Sequence, residues 1–351
     1  MDAPTRAIYE ARADEWVARR HPRDLDKATA WAADRHGPSI DLGCGPGWYA
    51  AALPRPVIAL DGARSMLQLA RAHALVLQAD LTALPIRRGA LASAWARNSY
   101  VHLPRTSVPL AMADLHGAMQ VDGQLSLQVF AGEGEGRDVF VDDDFPGRFF
   151  STWAVDHLGD VVRGAGFVID DLQTTGDAIT VHATRARTLP DLVRPGLRLV
   201  LCGLNPSLHA ADAGVGFVSP SNRFWPAARA AGILTNDRDP WHAVREHGVG
   251  FTDLVKRASV GAAEVKVAEY RDGFARVERL VAWLEPRAIC FVGLAGYRAA
   301  VDKKAVVGWQ ARTVGGRPAY VMPNPSGLNA RATVDILAAH LRAAFSAPQR
   351  S

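Results

Sequence analysis

Short apolar runs alternate with amphipathic segments along the first half of the chain. Ser39–Leu42, Val57–Leu60 and Val76–Ala79 have the length and composition of buried strands. Asp24–Ala33 and Ala63–His73 instead carry apolar residues at helical spacing. Strands that alternate with helices in this way predict an α/β fold with a parallel, doubly wound sheet.

The same alternation starts again in the second half. Leu199–Cys202, Ala288–Val292 and Ala319–Met322 are predicted strands, because each is a short apolar run next to turn-forming residues. Tyr270–Trp283 and Ala332–Phe345 have the periodicity of amphipathic helices. We therefore expect a second α/β unit, built on a short parallel sheet flanked by helices.

A segment with two prolines and no periodicity, residues 187–196 (RTLPDLVRPG), separates these halves. With 351 residues, the chain is long enough for two domains that each bury their own core. We predict a first domain over residues 1–187, a linker over 188–195 and a second domain over 196–351.

The charge is unevenly distributed between the two halves. Residues 1–195 contain 20 Lys and Arg against 24 Asp and Glu, whereas residues 196–351 contain 20 against 12. A basic second half suits a domain that neutralises DNA phosphates, although basic patches are also often plain solvated surface. Charge alone does not decide between these two interpretations.

The three cysteines, Cys44, Cys202 and Cys290, are far apart in sequence and lie in or beside apolar strands. They can form neither a four-thiolate metal site nor a disulfide framework, so we predict no metal site and a reduced, cytoplasmic setting. No window approaches 18 uninterrupted apolar residues, and no apolar core follows a basic start. A membrane is therefore not an expected partner.

A glycine-rich turn follows the first predicted strand. Its pattern is Gly43-x-Gly45-x-Gly47, and Trp48 stands where a dinucleotide fingerprint has a third Gly or Ala, which disfavours NAD. Asp61 ends the second strand, where its carboxylate can accept hydrogen bonds from ribose hydroxyls. In the same way, Asp80 ends the third strand, where it can accept from an adenine amino group.

With Asp41 before the glycines, this pattern resembles the class I S-adenosylmethionine-dependent methyltransferases over roughly residues 1–187. The resemblance implies a Rossmann-like domain whose cofactor is S-adenosylmethionine, with the region of Asn98 facing the transferring methyl group. The residues expected to bind the cofactor are Asp41, Gly43, Gly45, Gly47, Asp61, Asp80, Leu81 and Asn98. A Rossmann-like domain that no longer binds cofactor is the alternative.

The methyl acceptor is not indicated. After the fourth strand the chain reads RNSYVH over residues 97–102, which is neither of the signatures expected of DNA-methylating enzymes. His102 could act as a general base, because its side chain titrates near neutrality, or could be a packing histidine. The acidic loop over residues 132–147 is expected to be a solvated lid.

The second half carries its polar motifs at the ends of its strands. The first strand leads into Gly203-Leu204-Asn205-Pro206-Ser207, where the Asn205 amide can hold a water molecule. Gly216 and Phe217 offer close backbone approach and a stacking ring. A later strand leads into the stiff loop Asn324-Pro325-Ser326-Gly327-Leu328-Asn329, whose apolar tip suits a wedge that enters a base stack.

These motifs, with SNRFW at residues 221–225, resemble the mismatch-specific uracil/thymine-DNA glycosylases of the uracil-DNA glycosylase superfamily over roughly the last 160 residues. The resemblance implies an α/β/α domain that hydrolyses the N-glycosidic bond of uracil or thymine mispaired with guanine in double-stranded DNA, without a cofactor. It implies that Asn205 positions the water, that Gly203, Leu204, Gly216, Phe217 and Asn324 contact the base, and that Ser326, Gly327, Leu328 and Asn329 form the wedge.

Two features bear on specificity. The family often has an arginine two residues after the wedge to meet the widowed guanine, but Ala330 stands there and Arg331 follows it. Ala210, five residues after Asn205, could leave room for a thymine methyl group. With Asn205 at this position, the resemblance implies a slower, mismatch-directed enzyme, because relatives specialised for uracil are expected to have Asp there.

Three hypotheses follow from the sequence. In the first, a mismatch glycosylase is fused to a methyltransferase of unknown acceptor. In the second, the first half is only a cofactor sensor or a docking module, and the glycosylase half is the enzyme. In the third, a domain that binds S-adenosylmethionine is fused to a non-cleaving reader of uracil or modified bases in DNA.

Overall fold

The strands of the chain form two sheets, and each sheet belongs to its own unit of the fold. In this computed structural model, which describes residues 1–347, the first unit comprises Met1–Arg163 and Phe167–Ala186. The second unit contains Gly164–Gly166 and the chain from Arg187 onward. Both units are of the expected α/β class.

The first unit contains strands β1 to β9. Their bounds are Ser39–Leu42 (β1), Val57–Asp61 (β2), Leu75–Gln78 (β3), Leu91–Arg97 (β4), Met119–Ala131 (β5), Glu135–Gly136 (β6), Phe150–Trp153 (β7), Phe167–Thr175 (β8) and Ala178–Arg185 (β9). β3, β2, β1, β4 and β5 are neighbours in that order and run parallel. β9 pairs with β5 and β8 with β9, both antiparallel.

The helices of this unit follow its strands or precede β1. They are Ala3–Ala11 (α1), Ala13–Arg19 (α2), Leu25–Ala32 (α3), Arg64–Ala70 (α4), Val108–Ala118 (α5) and Val155–Gly164 (α6). All four side chains of β1 are buried, as a central strand covered on both faces requires. β1 lies between β2 and β4, so the chain order reverses there and a crevice opens at its carboxyl end.

Two details of this unit go beyond the local sequence patterns. The amphipathic pattern over Ala7–Arg20 predicts a single helix, which is wrong, because Arg12 leaves helical geometry between α1 and α2. The guanidinium of Arg12 pairs with Glu15 and lies over the ring of Phe145. The sheet is mostly parallel, as expected, and the hairpin of β8 and β9 adds an antiparallel edge to it.

The second unit contains strands β10 to β14. Their bounds are Leu199–Gly203 (β10), Val249–Asp253 (β11), Ile289–Val292 (β12), Gly308–Trp309 (β13) and Ala319–Met322 (β14). The sheet order is β11, β10, β12, β14 and β13, with only β13 antiparallel among these described strands. β10 lies between β11 and β12, so the chain order again reverses at its carboxyl end, directly before Asn205.

Helices of the second unit are Leu208–Ala213 (α7), Phe224–Ala230 (α8), Pro240–His242 (α9), Val267–Leu284 (α10), Leu294–Ala300 (α11) and Val334–Phe345 (α12). The core between α8, α12 and the sheet holds the fully buried side chains of Phe224, Trp225 and Leu337. Burial of such large apolar side chains is the main stabilising contribution of this unit. No helix within residues 1–347 is long and apolar enough to cross a membrane.

Candidate active sites

A cavity of about 670 Å³ opens at the carboxyl ends of the first sheet's strands. Its volume is in the range of small-molecule and cofactor sites. Of the residues that the sequence predicts to bind the cofactor, those that line it are Asp41, Gly43, Gly45, Asp61, Asp80, Leu81 and Asn98. Gly47 is not among the described lining residues; it packs against Ala70, where a Cβ would lie 2.9 Å from the Ala70 Cβ.

Asp61 holds the glycine-rich turn in place. Its Oδ2 accepts a hydrogen bond from the Gly45 amide at 3.0 Å, and its Oδ1 accepts from the Ala63 amide at 2.8 Å. Burial raises the pKa of this carboxyl, although these amide donors act in the opposite direction. Each carboxylate oxygen keeps a second lone pair, which a ribose hydroxyl could use.

Asp80 is half-buried at the far side of the cavity. Its Oδ1 accepts from the amide and hydroxyl of Thr82, and its Oδ2 lies 2.9 Å from the amino group of Met1. Burial acts to raise the pKa of Asp80, but these donors outweigh it and hold the pKa below its usual value. Asp80 is therefore an ionised acceptor at neutral pH.

Five polar atoms of residues in the cavity wall are buried without a hydrogen-bond partner in the described part of the chain. They are Asp41 Oδ2, Asn98 Oδ1, Ser99 Oγ, Gln128 Oε1 and His182 Nδ1. Burial, together with the charge of Asp61, raises the pKa of Asp41 to about 8. Buried polar atoms are normally paired, so a polar ligand, or water in its place, is needed to satisfy this wall.

The residues present fit S-adenosylmethionine. Asp61 and Asp80 could bind the adenosyl part, while the unpartnered oxygens of Asp41, Asn98 and Gln128 could accept from its amino group. A Cβ added at Gly45 would meet no protein atom within 4 Å, so the space beside this glycine is open to a ligand. The cavity thus combines polar ends with apolar walls, as a nucleoside-containing cofactor requires.

The acidic loop over residues 132–147 is not simply a solvated lid, as its composition suggests. Asp143 is buried in an ion pair with Arg148, and Asp144 pairs with Arg20. Both Asp143 and Arg148 line the cavity. The loop is therefore anchored to the wall of the site, which a count of acidic residues could not reveal.

Asn205 follows β10 directly, and its side-chain amide is held by three acceptors. Nδ2 donates to the carbonyls of Pro206 and Arg257, each at 3.2 Å, and to Ser259 Oγ at 2.8 Å. Carbonyl oxygens can only accept, so this environment fixes which end of the amide carries the hydrogens. Ser259 Oγ donates onward to the Gly261 carbonyl at 2.9 Å.

The opposite end of the Asn205 amide has no hydrogen-bond partner among the described residues. Within residues 1–347, Oδ1 has no donor, and the half-buried side chain is held only through Nδ2. A water molecule could donate a hydrogen bond to this oxygen and would then be oriented by it. A neutral amide can orient water but is a poor base, so its contribution is positioning.

Gly203 and Phe217 lie together beside this site. A Cβ at Gly203 would lie 3.7 Å from Phe217 Cζ, and the Phe217 ring is 4.4 Å from the ring of Phe224. Phe217 has a positive φ of 57°, a strained geometry for a bulky residue and one that often marks functional sites. The ring is half-buried and braced from one side, as a stacking platform must be.

Backbone donors accompany the ring. The Gly216 carbonyl accepts from Trp225 Nε1 at 2.9 Å, which fixes the loop. Neither the Gly216 nor the Phe217 amide has an acceptor among the described residues. Leu204 is half-buried, and its side chain packs against Gly293 and Gly296.

The loop over residues 324–329, called the wedge loop after its predicted role, follows the end of β14. Leu328 is 97% exposed at its tip, whereas Gly327 is pressed against Ser221, where a Cβ would lie 2.6 Å from the Ser221 Cβ. Asn324 Oδ1 accepts from the Ser326 amide at 2.9 Å, and Asn329 Nδ2 donates to the Asn324 carbonyl at 3.0 Å. These hydrogen bonds hold the loop, whereas the exposed side chain of Leu328 at its tip does not pack against the fold.

Arg223 holds this loop from outside its own sequence. Arg223 donates from its backbone to the Pro325 carbonyl and from its side chain to the Asn329 carbonyl, each at 3.0 Å. Ala330 and Arg331 are both exposed beyond the wedge. Ala210, by contrast, is buried in the first turn of α7, where its amide donates to Ser207 Oγ.

Asp253 is a site residue that the sequence reasoning missed. Its Oδ1 would lie 2.2 Å from a Cβ at Gly203, so its carboxyl lies directly against that glycine. Burial raises the pKa of Asp253 to about 6, partly opposed by Lys256. The only signal in the sequence is the position of Asp253 in GFTDL, residues 250–254, a segment that predicts a strand and turn.

A buried ion cluster lies next to Asp253. Asp191 accepts from Thr252 Oγ1 at 2.7 Å and from Lys256 Nζ at 2.9 Å, and it pairs with Arg276 Nη1 at 2.5 Å. Arg276 also donates to the Asp253 carbonyl at 2.9 Å. The cluster fixes the end of β11 and the start of the segment that supplies the acceptors of Asn205.

Comparison with known proteins finds matches to two family models, each over part of the chain. Residues 190–346 match the model of the uracil DNA glycosylase superfamily. Residues 40–123 match a methyltransferase domain model. The two resemblances drawn from the sequence are confirmed at this level, as is the order of a Rossmann-like methyltransferase domain followed by a glycosylase-like α/β domain.

Solved structures similar to the chain include several methyltransferases. The DhpI–SAH complex is 20% identical, with 52% of this chain and 96% of that chain covered, at a TM-score of 0.44. An S-adenosylmethionine-dependent methyltransferase from Mesorhizobium loti is 19% identical. The match covers 46% of this chain and 100% of that chain, at a TM-score of 0.38. A 1,6-didemethyltoxoflavin-N1-methyltransferase from Burkholderia thailandensis is 18% identical. The match covers 53% of this chain and 92% of that chain, at a TM-score of 0.40.

Proposed function

We propose that the second domain, residues 196–351, is a glycosylase that hydrolyses the N-glycosidic bond of uracil mispaired with guanine in double-stranded DNA. The observation that supports this most strongly is the Asn205 amide, whose Nδ2 is fixed by three acceptors while Oδ1 has no donor within the described chain. An oxygen held in this way can orient a water molecule for attack on the sugar. The superfamily match over residues 190–346 supports DNA as the partner.

The other parts of the site suit the remaining needs of the reaction. The nucleotide must leave the duplex, at a cost of a few kcal/mol that is lowest for a mispaired base. Leu328 can enter the stack, and Phe217 can stack on the extruded base. The departing base carries negative charge. The amides of Gly216 and Phe217, which have no acceptor among the described residues, could stabilise that charge.

The specificity is tested by single-turnover cleavage of labelled duplexes that carry G:U, G:T or A:U. We expect G:U to be cut faster than A:U, because the mispaired base costs less to extrude. Excision of thymine from G:T is a further prediction, and it requires that the base pocket has room for the thymine methyl group. If the protein binds these duplexes but cuts none of them, it is instead a reader of uracil or modified bases.

For the first domain, residues 1–187, we propose binding of S-adenosylmethionine and methyl transfer to an acceptor other than the DNA substrate of the second domain. The support is the set of unpartnered polar atoms in the cavity wall and the methyltransferase match over residues 40–123. When bound, the cofactor supplies an electrophilic methyl group. The residues that would hold it are Asp41, Gly43, Gly45, Asp61, Asp80, Leu81 and Asn98.

Cofactor binding is tested by titration calorimetry with S-adenosylhomocysteine on wild type and Asp80→Asn. We expect binding to the wild type and a loss of affinity of about tenfold in the variant, because one charge-assisted hydrogen bond becomes neutral. If the wild type does not bind, the first domain is a Rossmann-like scaffold without cofactor.

A further inference from the structure

The hydroxyl of Tyr9 lies between His102 and Arg148 in the wall of the first unit's cavity. Tyr9 Oη is 2.9 Å from His102 Nε2 and 2.6 Å from Arg148 Nη1. All three residues line the cavity, although they come from α1, the turn after β4 and the segment before β7. Neither the cofactor pattern nor the glycine-rich turn assigns a role to this cluster.

The direction of these hydrogen bonds follows from the partners. His102 Nδ1 lies 2.8 Å from the Phe149 carbonyl, which can only accept, so Nδ1 carries a hydrogen. In the neutral ring, Nε2 is then the acceptor, and Tyr9 donates its hydroxyl hydrogen to it. Arg148 can only donate, so it donates to Tyr9 Oη and leaves that oxygen one lone pair for a ligand.

The charges that face His102 keep it neutral. Burial lowers the pKa of His102 to about 4, and the cations of Arg148 and the Met1 amino group add to this, opposed by Asp2. Arg148 is held in turn by an ion pair with Asp143. At neutral pH the ring is therefore uncharged, and its Nε2 accepts the hydroxyl hydrogen of Tyr9 and can take up that proton.

An aromatic wall stands beside this pair. The ring of Phe150 is 4.9 Å from the rings of both His102 and Phe140, and Phe140 is 5.1 Å from Phe130. All three phenylalanines line the same cavity. Edge-to-face and tilted arrangements of this kind favour a planar ring as ligand.

We propose that Tyr9 is a catalytic residue that takes the proton of an aromatic hydroxyl, and that small phenol-like molecules are the class of methyl acceptor. The acceptor O–H bond breaks as its oxygen gains the methyl group. Its proton passes to Tyr9 Oη, and the Tyr9 proton passes to His102 Nε2. This inference depends on the proposed methyl transfer, in which the sulfonium cofactor becomes a neutral thioether.

Charge conservation makes this step feasible with a weakly basic histidine. The positive charge lost from the sulfonium appears on the imidazolium, so the cavity gains no net charge. Arg148 stabilises negative charge that develops on Tyr9 Oη or on the acceptor oxygen. The same guanidinium would repel a protonated amine, which favours a hydroxyl over an amino acceptor.

The test uses 4-nitrophenol, whose ionised and neutral forms absorb differently, with S-adenosylhomocysteine present. We expect the bound probe to ionise at a lower pH than the free probe, with an ionisation constant raised about tenfold. Tyr9→Phe and His102→Gln should lose this shift. Tyr100→Phe is the matched control, because the buried Tyr100 hydroxyl has no partner among the described residues and Tyr100 does not line the cavity.

Methylation of simple phenols is followed in parallel. Tyr9→Phe is expected to lower the rate about 100-fold, the usual contribution of a proton-transfer group, and Tyr100→Phe to leave it unchanged. An unshifted probe in the wild type, or the same shift in Tyr9→Phe, overturns the proposal. Binding of S-adenosylhomocysteine in calorimetry separates this failure from failure of the proposed function, since loss of cofactor binding contradicts the latter.

Discussion

At the scale of the residue, the environment of Asn205 decides what the amide can do. Two of its three acceptors are carbonyl oxygens, at 3.2 Å from Nδ2. A carboxylate in this place would direct one of its oxygens at both carbonyls, which is repulsive. The hydrogen-bond acceptors around Asn205 therefore favour an amide over a carboxylate at this position.

Asn205→Asp is accordingly expected to slow excision of uracil from G:U, although relatives specialised for uracil are expected to have Asp at this position. The measurement is the single-turnover rate across pH. A rate above that of the wild type would show that the carbonyls of Pro206 and Arg257 do not control this side chain.

Ser259→Ala should weaken the same site more mildly. It removes the shortest of the three bonds to Nδ2, at 2.8 Å, and leaves the two carbonyls. We expect a fall in single-turnover rate of about fivefold to tenfold, the equivalent of one hydrogen bond, with DNA binding unchanged. An unchanged rate would mean that the carbonyls alone fix the amide.

Asp41 gives a pH prediction for stability. Its folded-state pKa is raised to about 8 from an ordinary value of 3.8, so its contribution to stability is complete at low pH and is lost as pH rises through about 8. Asp41→Asn should leave the empty protein with a higher melting temperature than wild type near about pH 9, and with a similar one near about pH 4. Equal melting temperatures at both pH values would contradict the raised pKa.

At the scale of the element, the backbone of the wedge loop is held by hydrogen bonds, whereas the side chain at its tip is exposed. Arg223 and Asn329 hold its backbone, while Leu328 contributes nothing to the core. Its side chain can therefore be changed without cost to the fold. This is the arrangement expected of a residue that contacts a partner.

Leu328→Ala is expected to leave the melting temperature unchanged and to lower single-turnover excision about tenfold, more for A:U than for G:U, because a paired base needs more help to leave the stack. Val306→Ala, at a residue that is 65% exposed in the same unit, is the control and should change neither quantity. Equal rates for Leu328→Ala and Val306→Ala would remove Leu328 from the mechanism.

The elements themselves follow from local patterns, whereas the partners of the site residues do not. The strand before Asn205 and the glycine-rich turn before Trp48 are visible as short apolar runs with turn residues. Ser259 is 54 residues from Asn205, and Tyr9 is 93 from His102. These pairs depend on sheet order, which apolar periodicity does not specify.

At the scale of the whole molecule, each unit has its own sheet, its own core and its own candidate site. The helix break at Arg12 and the antiparallel edge of β8 and β9 were not predictable from periodicity, because both depend on tertiary contacts. The predicted boundary at residues 188–195 stays a prediction. It implies that the methyltransferase-like half can be studied alone.

Residues 1–187, expressed separately, should bind S-adenosylhomocysteine with the affinity of the full chain. The physical reason is that the cavity wall is formed entirely by residues 1–182. Calorimetry on both proteins measures this. A soluble, folded fragment that binds more than about tenfold more weakly would show that the second half contributes to the cofactor site.

The central claim is that Asn205 orients the water that cleaves the glycosidic bond. The most direct measurement is single-turnover formation of abasic product from a labelled G:U duplex by wild type and Asn205→Ala, with DNA affinity measured in parallel. We predict that the variant binds the duplex as well as the wild type and loses at least about 100-fold in rate. Cleavage by Asn205→Ala at the wild-type rate would contradict the account.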